Sequence, residues 1–274
     1  MITMIKIELK RAIKSKAFLV ALIIGCAITV SHIFQWVLPQ TQYLSLAFYK
    51  TMHPPDSVFN TWVGGNPYSL QAYVFFLILP ILAVIPYADT FFTDKESGFI
   101  KNVFVRVDKK YYYIAKYITV FIFGGLVILI PLVINLILTA TLMPSLIPQV
   151  TSLTYTVGGI SMWNSIFYTN PYLYVFMYLA LDFIFGGIFA TIALSISFFV
   201  NSRFIVLITP FIIVFSFSTL LKLLQLRVFD PFMFLQPSQP NFNITFSSVL
   251  IIMIISLLLS AGVFLIKGVR NETF

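Results

Sequence analysis

The sequence predicts an all-α integral membrane protein, with six transmembrane helices, an N-terminal interfacial amphipathic helix and a short cytoplasmic helix between spans two and three. Three observations predict it. Ala, Val, Ile, Leu, Met, Phe, Trp, Tyr and Cys make up 59% of the 274 residues, and only 9% are Asp, Glu, Lys or Arg. A soluble domain carries roughly 25% charged residues. The apolar residues are also gathered into long runs, giving a mean hydropathy of +0.97. A soluble domain must cover its surface with polar groups, and 17 basic plus 9 acidic side chains are too few for this length. This excludes an ordinary soluble enzyme and a disordered tail. A disulfide scaffold is excluded as well, since Cys26 is the only cysteine and is read as a small hydrophobe.

A spanning helix needs about 20 apolar residues, because the hydrocarbon layer is roughly 30 Å thick and each residue rises about 1.5 Å. Six stretches qualify: 17–38, 70–92, 114–142, 172–200, 204–221 and 247–266. The third and fourth are long enough to tilt, and only Asn201, Ser202 and Arg203 separate the fourth from the fifth. Of the 17 basic residues, 14 fall at the two termini, in the loop after span two or at Arg203; Lys50, Lys222 and Arg227 fall on the other side. Positive charge concentrates on cytoplasmic segments, which puts both termini in the cytoplasm of a multi-pass cell-membrane protein. The abundance of Phe and Ile suggests an AT-rich bacterial genome and hence a bacterial plasma membrane. The net charge of +8 therefore reports topology rather than a nucleic-acid partner. The first apolar run exceeds the 7–15 residues of a secretory signal core, so span one is expected to be retained.

Residues 1–16 carry Ile2, Ile5, Leu9, Ala12 and Ile13 at helical spacing, with Lys6, Lys10 and Lys14 in a row beside them. Such a helix lies in the interface, its stripe among acyl chains and its lysines near anionic headgroups. The plainer alternative is that these lysines only set topology. Asp182 falls near mid-depth of span four, where a carboxylate is expensive. It is a candidate for the translocation path or a dimer interface, or else it bonds a neighbouring hydroxyl of the Ser195 or Thr119 kind. Asp89, close to Lys95, is given a structural role. Pro80, Pro86, Pro131 and Pro210 are positioned to kink spans two, three and five. Tyr43, Phe48, Tyr49, Phe59, Trp62 and Tyr68 suit an interfacial aromatic belt or the grip of an amphipathic substrate.

Catalytic motifs are missing. ATP hydrolysis needs a phosphate-cradling loop ending in Gly-Lys-Ser or Gly-Lys-Thr, and no Gly-Lys dipeptide occurs. There is no His-Glu-x-x-His or Gly-x-Ser-x-Gly, and His32 and His53 lack metal-binding partners at ligand spacing. The chain is not expected to be an enzyme or to hold a metal or cofactor. The pairs Gly124-Gly125 and Gly186-Gly187 fall inside spans, where small residues permit close helix packing.

The loop 93–113 is the most informative stretch. Ile100, Val103, Phe104 and Val107 give one apolar face on a short helix, with Lys101, Asn102 and Arg106 beside it. That pattern suits docking into a groove on a soluble partner, or lying on headgroups. Glu96-Ser-Gly98, the mixed apolar and basic helix, and Lys116 opening the next span resemble the signature of ABC-2 type transporter permeases. Glu96, Gly98, Ile100, Lys101, Val103, Phe104 and Lys116 match its positions; Phe99 replaces the family's threonine and Val107 a common proline. The topology is similar too, including a proline-broken external region at 220–246 where the family has short re-entrant helices.

The resemblance implies a permease subunit that works with a second permease copy and with separate ATP-binding cassette subunits. ATP and Mg belong to those subunits. Segment 93–113 would be the coupling helix region, with Glu96, Gly98, Lys101 and Arg106 as ATPase-coupling residues and Glu96 anchoring the helix N-terminus. The implied activity is export of an amphipathic or hydrophobic cargo, such as an antimicrobial peptide, lipid-linked molecule or drug. Two alternatives remain open: an ion-coupled secondary transporter, and a non-transporting membrane sensor or immunity scaffold.

Overall fold

The computed structural model describes residues 1–45, 56–150, 155–200, 202–239 and 243–270. Among them are twelve helices and no strand. In chain order these are α1 (Ile2–Ile13), α2 (Lys16–Leu44), α3 (Val58–Thr61), α4 (Leu70–Val84), α5 (Thr90–Glu96) and α6 (Phe99–Phe104). They continue with α7 (Lys109–Leu142), α8 (Asn164–Thr169), α9 (Pro171–Ile196), α10 (Arg203–Leu223), α11 (Pro231–Phe234) and α12 (Phe246–Arg270). The starts follow local chemistry. Ser15, Ser69, Asn170 and Thr245 accept the N–H of Phe18, Ala72, Leu173 and Ser248, satisfying donors that a first turn leaves free.

Five helices are long and apolar enough to cross a bilayer: α2, α7, α9, α10 and α12, of 29, 34, 26, 21 and 25 residues. The chain is therefore a multi-pass membrane protein by helix length and hydropathy. The second expected span, 70–92, is not one helix. It stops at Val84 after 15 residues, passes through turns at 85–89 and resumes as the separate α5. Pro86 explains the break, since it has no N–H to give Leu82. The shorter α4 still runs antiparallel to α2 over most of its length. Gln71 donates to Gln35 at one end, and Ser15 donates to the Pro86 carbonyl, 3.1 Å, at the other. Elsewhere the expected bounds shift. Helix α2 outlasts residue 38, α7 begins at Lys109 rather than 114, and α9 ends before 200, cleanly separated from α10 by a turn.

The centre is the contact between α7 and α9. A Cβ at Gly124 would meet the Gly186 carbonyl at 2.8 Å, and one at Gly186 would meet the Gly124 carbonyl at 2.7 Å. Gly125 and Gly187 admit the rings of Phe183 and Phe121 in the same way. The paired glycines read in the sequence thus bring two backbones together. Pro80, Pro131 and Pro210 lie inside α4, α7 and α10.

At the end of the bundle away from the termini, α3, α8 and α11 fold over the helix ends. Tyr174 donates to the Pro237 carbonyl and Ser161 to that of Gln239. Within the proline-broken region 220–246, residues 227–239 fold back on the bundle through a short 3-10 turn (Arg227–Phe229) and α11, with Phe234 and Leu235 buried. Phe59 and Trp62 are also buried, 3% and 1% exposed, and belong to the core rather than to a surface belt. The reason is that the loop turns inward, where Asn135 accepts the Val63 N–H at 2.8 Å. Tyr43 and Tyr68 are exposed; Phe48, Tyr49 and His53 lie outside the described residues. His32 is buried beside Asn135, as befits a structural histidine.

Gly186→Val is expected to cost about 1–3 kcal/mol through overpacking, read as a lower melting temperature in detergent. Gly159→Ala, where a Cβ meets nothing within 4 Å, is expected to leave melting unchanged.

Candidate functional site

Helix α1 buries only part of the expected row: Ala12 is enclosed and Ile5 and Leu9 are half-buried. Met4, Glu8 and Ala12 face the bundle, while Ile2 and Ile13 are exposed. Lys6, Lys10 and Lys14 are exposed. The inward row contains an acid because a cation waits opposite it: Glu8 meets Lys116 of α7, both 0% exposed, at 3.1 Å.

Around that pair stands a charge-balanced network. Lys116 also donates to Asp94 of α5, 2.8 Å, and Arg11 bridges Asp94 at 2.7 Å and Glu8 at 2.8 Å. Two phenols take the remaining acceptor positions. Tyr87 donates to Glu8 at 2.7 Å and Tyr112 to Asp94 at 3.0 Å. The Lys116 ammonium also lies 4.4 Å from the centroid of Tyr87, and Arg11 lies 4.5 Å from that of Phe99. Two carboxylates and two cations leave no net charge to desolvate, and the hydrogen bonds offset what burial removes. Burial pushes the Asp94 carboxyl up, but Lys116 and Arg11 outweigh it and hold Asp94 below its ordinary 3.8. Burial likewise works against the Arg11 charge, and its bonds to Asp94 and Glu8 more than restore it.

Helix α5 reaches further still. Phe91 packs with Tyr113, Phe198 and Phe264, at centroid distances of 5.9, 4.9 and 5.3 Å. Asp89, at the start of α5, pairs with Arg203 of α10 rather than with Lys95. Thus one helix of seven residues touches α1, α7, α10, α12 and the turn after α9. It does so because Asp89, Phe91 and Asp94 are all buried along it.

After α5 the chain reverses at Gly98, whose φ of 71° is the left-handed conformation that glycine adopts cheaply. Nothing lies within 4 Å of a Cβ there, so the backbone angle, not space, calls for glycine. Helix α6 then turns its apolar side inward. Ile100 is 1% exposed, and Phe104 meets Tyr112 edge-on at 5.7 Å. The apolar face expected to dock on a partner is therefore used within the chain. What projects outward is Glu96, Lys101 and Arg106, together with Val105, 86% exposed. Glu96 is the last residue of α5 and makes no ion pair or side-chain hydrogen bond among the described residues. It does not cap α6, whose preceding residue is Gly98.

Asp182 lies in the interior of the chain's own helices, 0% exposed. Neither of its oxygens has a hydrogen-bond partner among the described residues. Ser195 is committed to the carbonyls of Thr191 and Ser260, and so does not serve it. Among the described residues no group of acidic, histidine or cysteine side chains is placed to hold a metal.

Of the residues singled out in the sequence, Glu96, Lys101 and Arg106 are each exposed on the hairpin of α5 and α6 or the turn after it, and Gly98 makes its reversal; Asp182 is buried among the bundle helices. The sequence reading missed Glu8, Asp94, Tyr87 and Tyr112. A signal existed for Glu8, which is spaced by four from both Met4 and Ala12, and so sits on their row rather than on that of the lysines. Comparisons with protein-family models, with curated proteins and with solved structures find no match.

Lys116→Met leaves two buried carboxylates facing one cation and is expected to cost about 3–5 kcal/mol; adding Glu8→Gln should restore part of it. Because the folded Asp94 is held below its ordinary value, its contribution is present above the carboxylate range and lost as pH falls through the depressed value. Melting in detergent from about pH 7 to about pH 3 should show this loss in the parent chain and less of it in Asp94→Asn.

Proposed function

We propose that the chain is the membrane-spanning permease subunit of an ATP-binding cassette exporter of the ABC-2 type. In this reading α4 counts as a sixth crossing, both termini are cytoplasmic, and the protein works in a bacterial plasma membrane. ATP and Mg are bound by separate subunits, and a second permease copy completes the path for an amphipathic or hydrophobic cargo. The observation that carries the reading is the hairpin of α5 and α6. Its outer surface presents Glu96, Lys101 and Arg106, while its inner surface is bonded through Asp94 to Glu8, Arg11 and Lys116.

The mechanism follows from that two-sidedness. A partner closing on ATP would press on α6 and the end of α5. A lone surface helix would yield to such a push. Here Asp94, Phe91 and Asp89 pass it to α1, α7, α10 and α12 at once. The glycine contact between α7 and α9 then carries it to α9. Packed elements of this kind move as rigid bodies between discrete arrangements. Lys101 and Arg106 supply positive charge for an acidic partner surface, and Glu96 supplies an opposite charge that fixes register.

Charge reversal at Glu96 and Arg106 together is expected to weaken co-purification of the chain with its ATPase by at least about tenfold. The variant's melting temperature should stay near that of the parent chain, because neither side chain is bonded to another among the described residues. Unchanged capture and unchanged stimulation of ATP hydrolysis would overturn the docking role.

One observation favours a second reading. The carboxyl of Asp182, without a hydrogen-bond partner among the described residues, is the kind of group that a proton-coupled secondary transporter uses. In vesicles, that reading expects transport to follow a proton gradient without ATP and to be lost in Asp182→Asn. The exporter reading expects ATP dependence in both chains.

A further inference from the structure

Helices α10 and α12 both pack on α9, and between them lies a groove of about 410 Å3. Phe189 and Ile196 form its floor, Ile213 and Phe217 one wall, Ile255 and Leu259 the other. Three hydroxyls border it, and two are already committed. Ser195 donates to the Ser260 carbonyl at 2.8 Å, and the Ser260 hydroxyl is shared with Tyr117 at 2.9 Å, which leaves Ser256. Water needs two to four polar partners to settle in a cavity, and one remaining hydroxyl is too few. The natural occupant is therefore hydrocarbon.

The groove ends at Phe199 and Val263, on the side of the bundle where both termini lie. There the chemistry changes abruptly. The ammonium of Lys267 stands 3.5 Å from the centroid of Phe199. Neither Lys267 nor Arg270, on the next turn, is paired with a carboxylate among the described residues. Both are basic, and no acid faces them from α9, α10 or α12, where Asp182 is enclosed at mid-depth; Asp230, just before α11, is bonded to Ser218 at the far end. A long apolar slot with an unpaired cation at its mouth complements one kind of molecule, an amphiphile with an anionic head.

We propose that this groove holds one resident phospholipid from the leaflet at the basic end, its acyl chain between α10 and α12 and its phosphate on Lys267. The site is built for a lipid that stays, since a hydrocarbon chain so placed fills the space the two helices leave and is held at its head by charge. The inference rests on the membrane reading alone and not on ATP-driven export, so either can fail without the other.

The test is native mass spectrometry of the purified chain, released from detergent after exchange with equal amounts of phosphatidylglycerol and phosphatidylcholine. The expected result is one retained lipid per chain, with the anionic one favoured by about fivefold, the effect of one basic residue near an anionic group. Lys267→Gln should abolish the preference, and Ser256→Phe, which fills the lining, should remove both lipids. A second measurement needs no variant. Phosphatidylglycerol with a photoactivatable acyl chain should label 252–263 of the unmodified chain in clear excess over the exposed face of α2 around Leu19 and Ile23. Equal retention of the two lipids, an unchanged preference in Lys267→Gln, or even labelling of both faces would overturn the proposal. So would retention of lipid by a folded Ser256→Phe chain, or a lipid-free pair of chains joined through this face.

Discussion

The buried quartet of Glu8, Arg11, Asp94 and Lys116 is the constraint on which the basic end of the molecule depends. Each charge alone would be prohibitive in so apolar a chain, and each is tolerable only because the other three are in place. Arg11, about a third of whose side chain is exposed, is the one member that keeps contact with solvent; the others are almost wholly enclosed. The consequence is geometric. The three elements that contribute a member, α1, α5 and α7, cannot separate by even a few ångströms without stranding a charge. An amphipathic helix that would otherwise float in the interface is thereby fastened to the bundle. A hairpin that would otherwise be a surface loop becomes part of its frame.

A second constraint, of the opposite kind, operates at mid-depth. Helices α7 and α9 approach closely because glycine leaves nothing between them, and their cohesion is dispersion rather than charge. The molecule thus uses polar bonds where the chain meets the headgroup level and bare backbone contact where it crosses hydrocarbon. Asp182 is the exception. It sits on α9 one turn from the glycine pair, with no donor provided among the described residues. Natural sequences concentrate such violations of local rules at functional positions, which is why this residue keeps a second reading of the protein alive.

How much of this was legible in the sequence depends on the range of the interaction. The long apolar runs announced α2, α7, α9, α10 and α12, because hydrophobic length is a local property. The glycine pairs announced a close helix contact, though not which helices would meet. Pro86 was read as a kink when it marks an end; a proline tells where a hydrogen bond is lost, and the fate of the chain beyond depends on what packs there. The quartet was invisible for a plainer reason. Glu8, Asp94 and Lys116 are separated by up to 108 residues, and no spacing rule connects an acid on one helix with a lysine on another. For the same reason Ile100 and Phe104 looked like a docking face. An apolar stripe shows that something must cover it, while only the fold shows that Tyr112 and Tyr113 already do.

The wide turn at Gly262–Ile266 of α12 carries one residue more than an α-helical turn would, which rotates everything after it by about 100° relative to a regular helix. That offset lets a single helix serve two masters in succession. Before it, Ile255 and Leu259 look toward the groove beside α10; after it, Gly268 lies against the ring of Tyr113. Trimming one residue from this turn would restore a regular spiral and swing the last basic residues around the helix axis, away from the ring of Phe199. The helix would still be long enough to cross the membrane, but its tail would be keyed to the wrong neighbour.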